Sequence, residues 1–151
     1  MDYNLSELDI EDNQPRSARR RAREFAMQGI YQHLINKSDY GFILASLEES
    51  PEFNKSDISH FKRLLNGVLT QEDKLKEHFI QFIDREMQTI SPIEQSVLLI
   101  GTYELLHCID IPYKVVINEA VELTKRFGGI EGYKYINGVL DKLSPILRPN
   151  G

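Results

Sequence analysis

Five arginines, Arg16, Arg19, Arg20, Arg21 and Arg23, fall within eight residues that contain no acid. Guanidinium forks grip phosphate oxygens two at a time, so such a cluster suits an anionic polymer. Spacings of four and three put Arg16, Arg20 and Arg23 on one helix face, where they can act together. Cations in the first turn also oppose the helix macrodipole, at roughly a few tenths of a kcal/mol each. A solubility role alone would not require that placement; an anionic partner would. The competing reading is a solvated charged face, the usual fate of a charge run.

Other reactive residue types form no constellation. His33, His60, His78 and His107 stand singly, and a lone helical histidine is usually a packing or surface residue. His107 and Cys108 are sequence neighbours, but neighbours on a helix point about 100° apart and cannot form a nucleophile–base pair. Cys108 falls on an apolar stripe and reads as core. Gly128-Gly129-Ile130-Glu131-Gly132 has the glycines of a phosphate cradle but follows no strand, so it reads as a helix stop and connector. There is no Walker loop, zinc-protease histidine pair, calcium loop or serine elbow. The expectation is no enzyme activity, no cofactor and no metal.

These side chains must be positioned by a small domain. The chain has 151 residues, 41% hydrophobic and 27% charged, which suits one globular domain with a substantial core. No apolar run approaches the ~20 residues needed to span a bilayer, so no membrane contact is expected. The acidic, polar start is unlike a secretory signal, and the single cysteine fits a reducing, cytoplasmic setting. A net charge of −5 would argue against nucleic acid, but residues 1–12 alone carry five acids and no base. Distribution, not the sum, is informative.

Residues 1–15 lack helical periodicity and read as a flexible acidic tail; residues 16–151 form the folded domain. Ser17 caps a first helix with the stripe Ala22, Phe25, Ala26, Gly29, Ile30, Leu34. Residues 36–39 are a loop, and residues 41–49 a short helix ending before Pro51. A long helix begins near Ser56 and is expected to reach about residue 85, weakened in the middle by Gly67 and the polar stretch from Thr70 to Lys74. Ser91-Pro92-Ile93-Glu94 is a capping box that opens the next helix. Further helices cover 113–127, with Gly128 ending the first in a left-handed conformation, and 133–143, with Pro145 stopping the second. No strand alternation competes. The fold class is all-α, a compact bundle of about seven helices.

The string from Ala18 to Glu24, continuing to Phe25 and Tyr31, resembles the arginine-rich opening helix of the NusB family. More specific is the run from Pro112 to Lys125, followed by Phe127-Gly128, Tyr135 to Lys142 and Arg148-Pro149. The resemblance covers residues 16–150. It implies two packed helical subdomains, binding of boxA-type single-stranded RNA in nascent ribosomal transcripts, and a heterodimer with NusE, the small-subunit ribosomal protein. Through other Nus factors and RNA polymerase, such a complex suppresses termination. Some family members self-associate, so a homodimer is a further expectation.

Carried over by position, the resemblance makes Arg16, Arg19, Arg20, Arg21 and Arg23 phosphate contacts, with Lys134 as another basic position. Tyr135 and Phe82 become aromatic positions suited to base stacking, and Glu131 an acceptor for a base edge. Glu94, Tyr103 and Glu104 are the candidates for the NusE surface. Each has a plainer reading: Tyr135 packs on the bundle, Glu131 is loop, Glu94 only caps its helix. The tail departs from the family pattern; its charge would let it fold back on the arginines, or merely solubilise. Rival readings are a protein–protein adaptor, whose arginines dock an acidic partner, or a nonspecific RNA binder.

Overall fold

The computed structural model describes residues 16–84, 86, 89–129 and 131–151; the acidic tail read at residues 1–15 lies outside them. Helix α1 (Ala18–Asn36) starts where Ser17 accepts a hydrogen bond from the Arg20 N–H at 3.0 Å. This satisfies one of the donors that a helix start leaves open. Its stripe of Ala22, Phe25, Ala26, Gly29 and Ile30 is buried as the spacing predicts. Lys37, with φ at 59°, ends the helix in the left-handed region and donates its N–H to the His33 carbonyl. Helix α2 (Tyr40–Glu48) is capped by Asp39, which accepts from the Phe42 N–H.

A short 3-10 turn, Phe53–Lys55, sets Phe53 edge-on to Phe25 and Phe61, with centroids 5.4 and 5.2 Å away. Such edge-to-face pairs match the positive ring edge to the negative face. Helix α3 (Ile58–Phe79) is capped by Asp57. It bends at Gln71, whose φ of −122° and ψ of 21° leave the helical region, within the polar stretch that weakens its middle. The α-helix stops at Phe79, short of the expected residue 85, and passes into a 3-10 turn, Ile80–Phe82.

Helix α4 (Pro92–His107) opens on the capping box of Ser91 and Glu94, with both reciprocal bonds formed. Its residues from Ser96 to Leu105 are buried without a break. An element apolar on every side belongs at the centre of a bundle. Helices α5 (Tyr113–Phe127) and α6 (Gly132–Leu147) form a hairpin against it. Two sequence expectations are corrected here. Gly128 is extended, with φ at −94° and ψ at −172°, rather than left-handed. Pro145 does not stop α6, which continues to Leu147. In the last turn, the N–H that proline lacks would have served only the carbonyl of Asp141, an exposed residue that water reaches.

Among the described residues there are six α-helices rather than about seven, and no strand. Helix α1 packs on α3 and α4, α4 packs on α3, α5 and α6, and one continuous apolar core joins them. Arg148 ties the chain end to this core. Its guanidinium donates to the carbonyls of Glu104, Leu105, Cys108 and Ile111 at 2.6 to 3.1 Å. Those acceptors lie at the end of α4 and in the following turn, where Glu104 and Cys108 also accept backbone N–H bonds and the guanidinium supplies further donors. No helix among the described residues is long and apolar enough to cross a membrane.

Candidate nucleic-acid interface

The start of α1 lies against α5, and each arginine of the run meets a carboxylate of the same chain. Arg20 grips Glu119 in a fork, Nε to Oε1 at 3.0 Å and Nη2 to Oε2 at 2.6 Å. This two-bond contact, working against desolvation, raises the guanidinium further above its ordinary pKa. Arg19 donates to Asp57 at 3.1 Å and Arg21 to Glu52 at 2.8 Å. Arg16 pairs with Glu24, which also meets Arg126 of α5 at 3.3 Å.

Arg16 and Arg23 lie deepest, their side chains only 4% and 5% exposed, so Arg16 is not open to a phosphate as expected from the sequence. The Arg23 Nε reaches both oxygens of Glu104, at 3.1 and 3.0 Å, and its Nη1 reaches Glu119 at 3.3 Å. His60 of α3 completes the group, its Nε2 2.6 Å from Glu104 Oε2. Of the three arginines expected on one face, Arg20 and Arg23 share Glu119, while Arg16 pairs with Glu24. With 39% of its side chain exposed, Arg20 keeps Nη1 outside the fork, and Arg19 is similarly open at 41%.

The partner-facing positions need correction. Glu104 is 1% exposed and Tyr103 is 7% exposed. Both sit inside the bundle because α4 is surrounded on all sides, so neither presents a side chain to another protein. Tyr103 lies across Gly67 of α3 and against His107, with ring centroids 4.8 Å apart. Glu94 is half-buried, serves the capping box and approaches Gly132 at the start of α6. It remains at the surface, beside the α6 candidates.

Those candidates do gather in one region. Lys134 and Glu131 form an exposed pair at 2.9 Å; such a pair contributes little to stability and leaves both groups accessible. Tyr135 is half-buried with its ring against the core, and Phe82 sits half-buried in the 3-10 turn that contacts α6. Both rings therefore contribute to packing as well as to the surface.

Between α1 and α5 lies a cleft of about 210 Å³, walled by Arg20, Glu24, Glu119, Glu122, Lys125 and Arg126. Sequence reasoning missed Lys125, Arg126 and Glu119 as part of this surface. Two cations in the last turn of α5 were a visible signal, although they also fit the macrodipole. Nothing local marks Glu119, which lies 99 residues from Arg20. Two other histidines bond within the fold: His33 with Glu72 at 2.9 Å, and His107 with Gln71 at 2.9 Å. Among the described residues, no group of three or more His, Cys, Asp or Glu side chains could hold a metal ion.

Comparison with known proteins decides the family. A family model described as the NusB family matches residues 20–145. The chain belongs to the NusB family. The transcription antitermination protein NusB of Cupriavidus pinatubonensis is 59% identical over 134 residues, spanning 89% of this chain and 80% of its own. That of Bordetella pertussis is 51% identical over 137 residues, 88% and 89% of the two chains. The solved NusB of T. maritima superposes with a TM-score of 0.73 at 28% identity, covering 88% of this chain and 92% of its own. A chain from a crystal structure of the antitermination factors NusB and NusE with dsRNA superposes at 0.74 and 19% identity, over 85% and 97% of the chains. That likeness concerns fold alone. The NusB match takes in Arg20, Arg21 and Arg23, both walls of the cleft and the whole α6 cluster, while Arg16 and Arg19 precede it.

Proposed function

We propose that this chain is a transcription antitermination factor that binds boxA-type single-stranded RNA together with NusE. In this reading it acts in the bacterial cytoplasm, without catalysis of its own, and through other Nus factors helps RNA polymerase resist termination. One observation carries it: relatives as similar as 59% over 134 residues are named transcription antitermination protein NusB. A chain of the same fold occurs in a crystal structure of the antitermination factors NusB and NusE with dsRNA, which suggests NusE and an RNA as partners but does not bear on the single-stranded form. The α1–α3 and α4–α6 halves are its two subdomains.

The RNA surface in this reading runs from Arg19 and Arg20 over Lys125 and Arg126 to Glu131, Lys134 and Tyr135, with Phe82 at its edge. Arg21 flanks the run, while Arg16, buried against Glu24, and Arg23, which holds Glu119 and Glu104, stand behind it. Phosphates meet the open guanidinium and ammonium groups, and bases meet the rings. Glu94 is retained as a NusE contact; Tyr103 and Glu104 act only by holding α4 in place.

The test is fluorescence anisotropy with a short boxA-like RNA and a scrambled control, each with and without NusE, across salt. Tighter, sequence-selective binding with NusE present is the expected result. Equal binding of both RNAs, or none, would defeat the reading. One observation favours the rival adaptor: internal acids already engage the five arginines. An adaptor would bind NusE with no RNA affinity for salt to weaken.

A further inference from the structure

The cleft beside Arg20 does not end at α5. Lys125, which closes it, holds its Nζ 4.9 Å from the centre of the Tyr133 ring at the start of α6. Tyr133 in turn opens a larger groove of about 480 Å³ along the α5–α6 hairpin, with Tyr113 at the far end. Ile117 and Val121 form its apolar part, and Lys114, Asn118, Asn137 and Asp141 its polar part. From Tyr113 to Val121, at ~1.5 Å per helical residue, the groove runs about 12 Å, room for roughly three bases stacked at ~3.4 Å.

We infer that this groove is a second RNA subsite, taking two or three unpaired bases of the strand that leaves the arginine cleft. The inference rests on the function proposed above and extends its surface. Tyrosine rings stack on any base, and cation-bearing side chains between two such sites meet the intervening phosphate. Lys125 stands at that junction, and Lys114 lies on the other rim. The amides of Asn118 and Asn137 both donate and accept, and Asp141 accepts from exocyclic amino groups, so base edges rather than phosphates are recognised. A partner helix would need a longer apolar stripe than Ile117 and Val121 supply. An RNA duplex keeps its bases paired and has none to offer the rings.

The experiment compares a boxA-like core RNA with the same RNA extended by three nucleotides, at one end and then the other, on the full chain with NusE. Asn118 and Asn137 are exposed, so an Asn118→Ala/Asn137→Ala variant keeps the fold, which its melting temperature checks. One extension should tighten binding about tenfold, through base-edge hydrogen bonds to the two asparagines that hold the base in register on the rings. The double variant should lose that gain and keep the affinity for the core. No gain at either end, or a gain that survives the variant, overturns the subsite while selective core binding leaves the parent function standing. If core binding itself is absent, the parent function fails first. A variant that loses NusE without RNA present makes the groove a protein-docking surface and also overturns the inference.

Discussion

Glu104 and Arg23, 81 residues apart in sequence, form a buried ion pair with both carboxylate oxygens within 3.1 Å of Nε. Two charges withdrawn from water are costly, and their attraction offsets this only while both are present and hydrogen-bonded. His60 and Glu119 complete the hydrogen bonding, so α1, α3, α4 and α5 meet at one polar centre. Arg23→Met should therefore destabilise the fold by about 3–5 kcal/mol, because Glu104 is left buried beside a single imidazole. That is a large share of the ~5–15 kcal/mol that such a domain possesses. Urea denaturation measures it, and a loss below about 1 kcal/mol would contradict the role assigned to this pair. Arg23 is consequently a poor probe of RNA contact, and Arg20 a better one.

The fork between Arg20 and Glu119 has the opposite consequence for binding. A phosphate approaching Arg20 meets a guanidinium already neutralised by an adjacent carboxylate. Glu119→Gln removes that charge and keeps the shape, so RNA affinity should rise several-fold at low salt. Freeing one cation for phosphate should also steepen the logarithmic salt slope by about 0.7, the value for one neutralised phosphate on a single strand. Affinity that stays level or falls, in a variant whose melting shows it folded, would mean that Glu119 positions Arg20 for RNA rather than withholding it.

How much of this was legible beforehand differs between fold and site. Local signals read well: Ser17 and the Ser91–Glu94 box cap the helices they mark, and the weak centre of α3 is where Gln71 bends it. Pro145 and Gly128 misled because each was treated as a rule of local conformation, while a solvated final turn tolerates a missing donor. The arginine cluster was visible, but its neutralisation was not, since Glu104 and Glu119 belong to distant elements with no register to the run. Glu104 looked like a surface acid because its polarity was weighed without the all-round burial of α4.

Asp57 offers a pH test. It caps α3 through the His60 N–H and accepts from Arg19, and chiefly the backbone bond holds its carboxyl below the ordinary value of 3.8. A carboxylate with a lowered folded pKa adds stability that is fully present above the unfolded value and is lost as pH falls through the folded one. Asp57→Asn can still cap the helix but carries no charge to lose. Its stability deficit against the parent should be greatest near neutral pH and should shrink as pH falls below about 4, where the unfolded parent takes up a proton while the folded carboxyl holds its charge longer. Denaturation midpoints from pH 7 to pH 3 test this; a deficit that stays constant would remove the charge from the explanation.

Gly67 lies inside α3 where helix propensity alone would prefer alanine by about 1 kcal/mol. The structure reverses that preference. A methyl group at Gly67 would stand 2.2 Å from Cε2, 2.5 Å from Cζ and 2.8 Å from Oη of Tyr103. The ring cannot swing aside cheaply, because it is packed between α3 and α4 and against His107. Overpacking of this kind costs about 1–3 kcal/mol, so Gly67→Ala should lower stability despite its better propensity. Gly138, inside α6 with nothing within 4 Å of its missing methyl, is the control, and Gly138→Ala should raise stability by up to about 1 kcal/mol. Urea denaturation of the two variants should therefore give shifts of opposite sign. Shifts of the same sign would show that the close approach of Tyr103 is not what requires glycine at position 67.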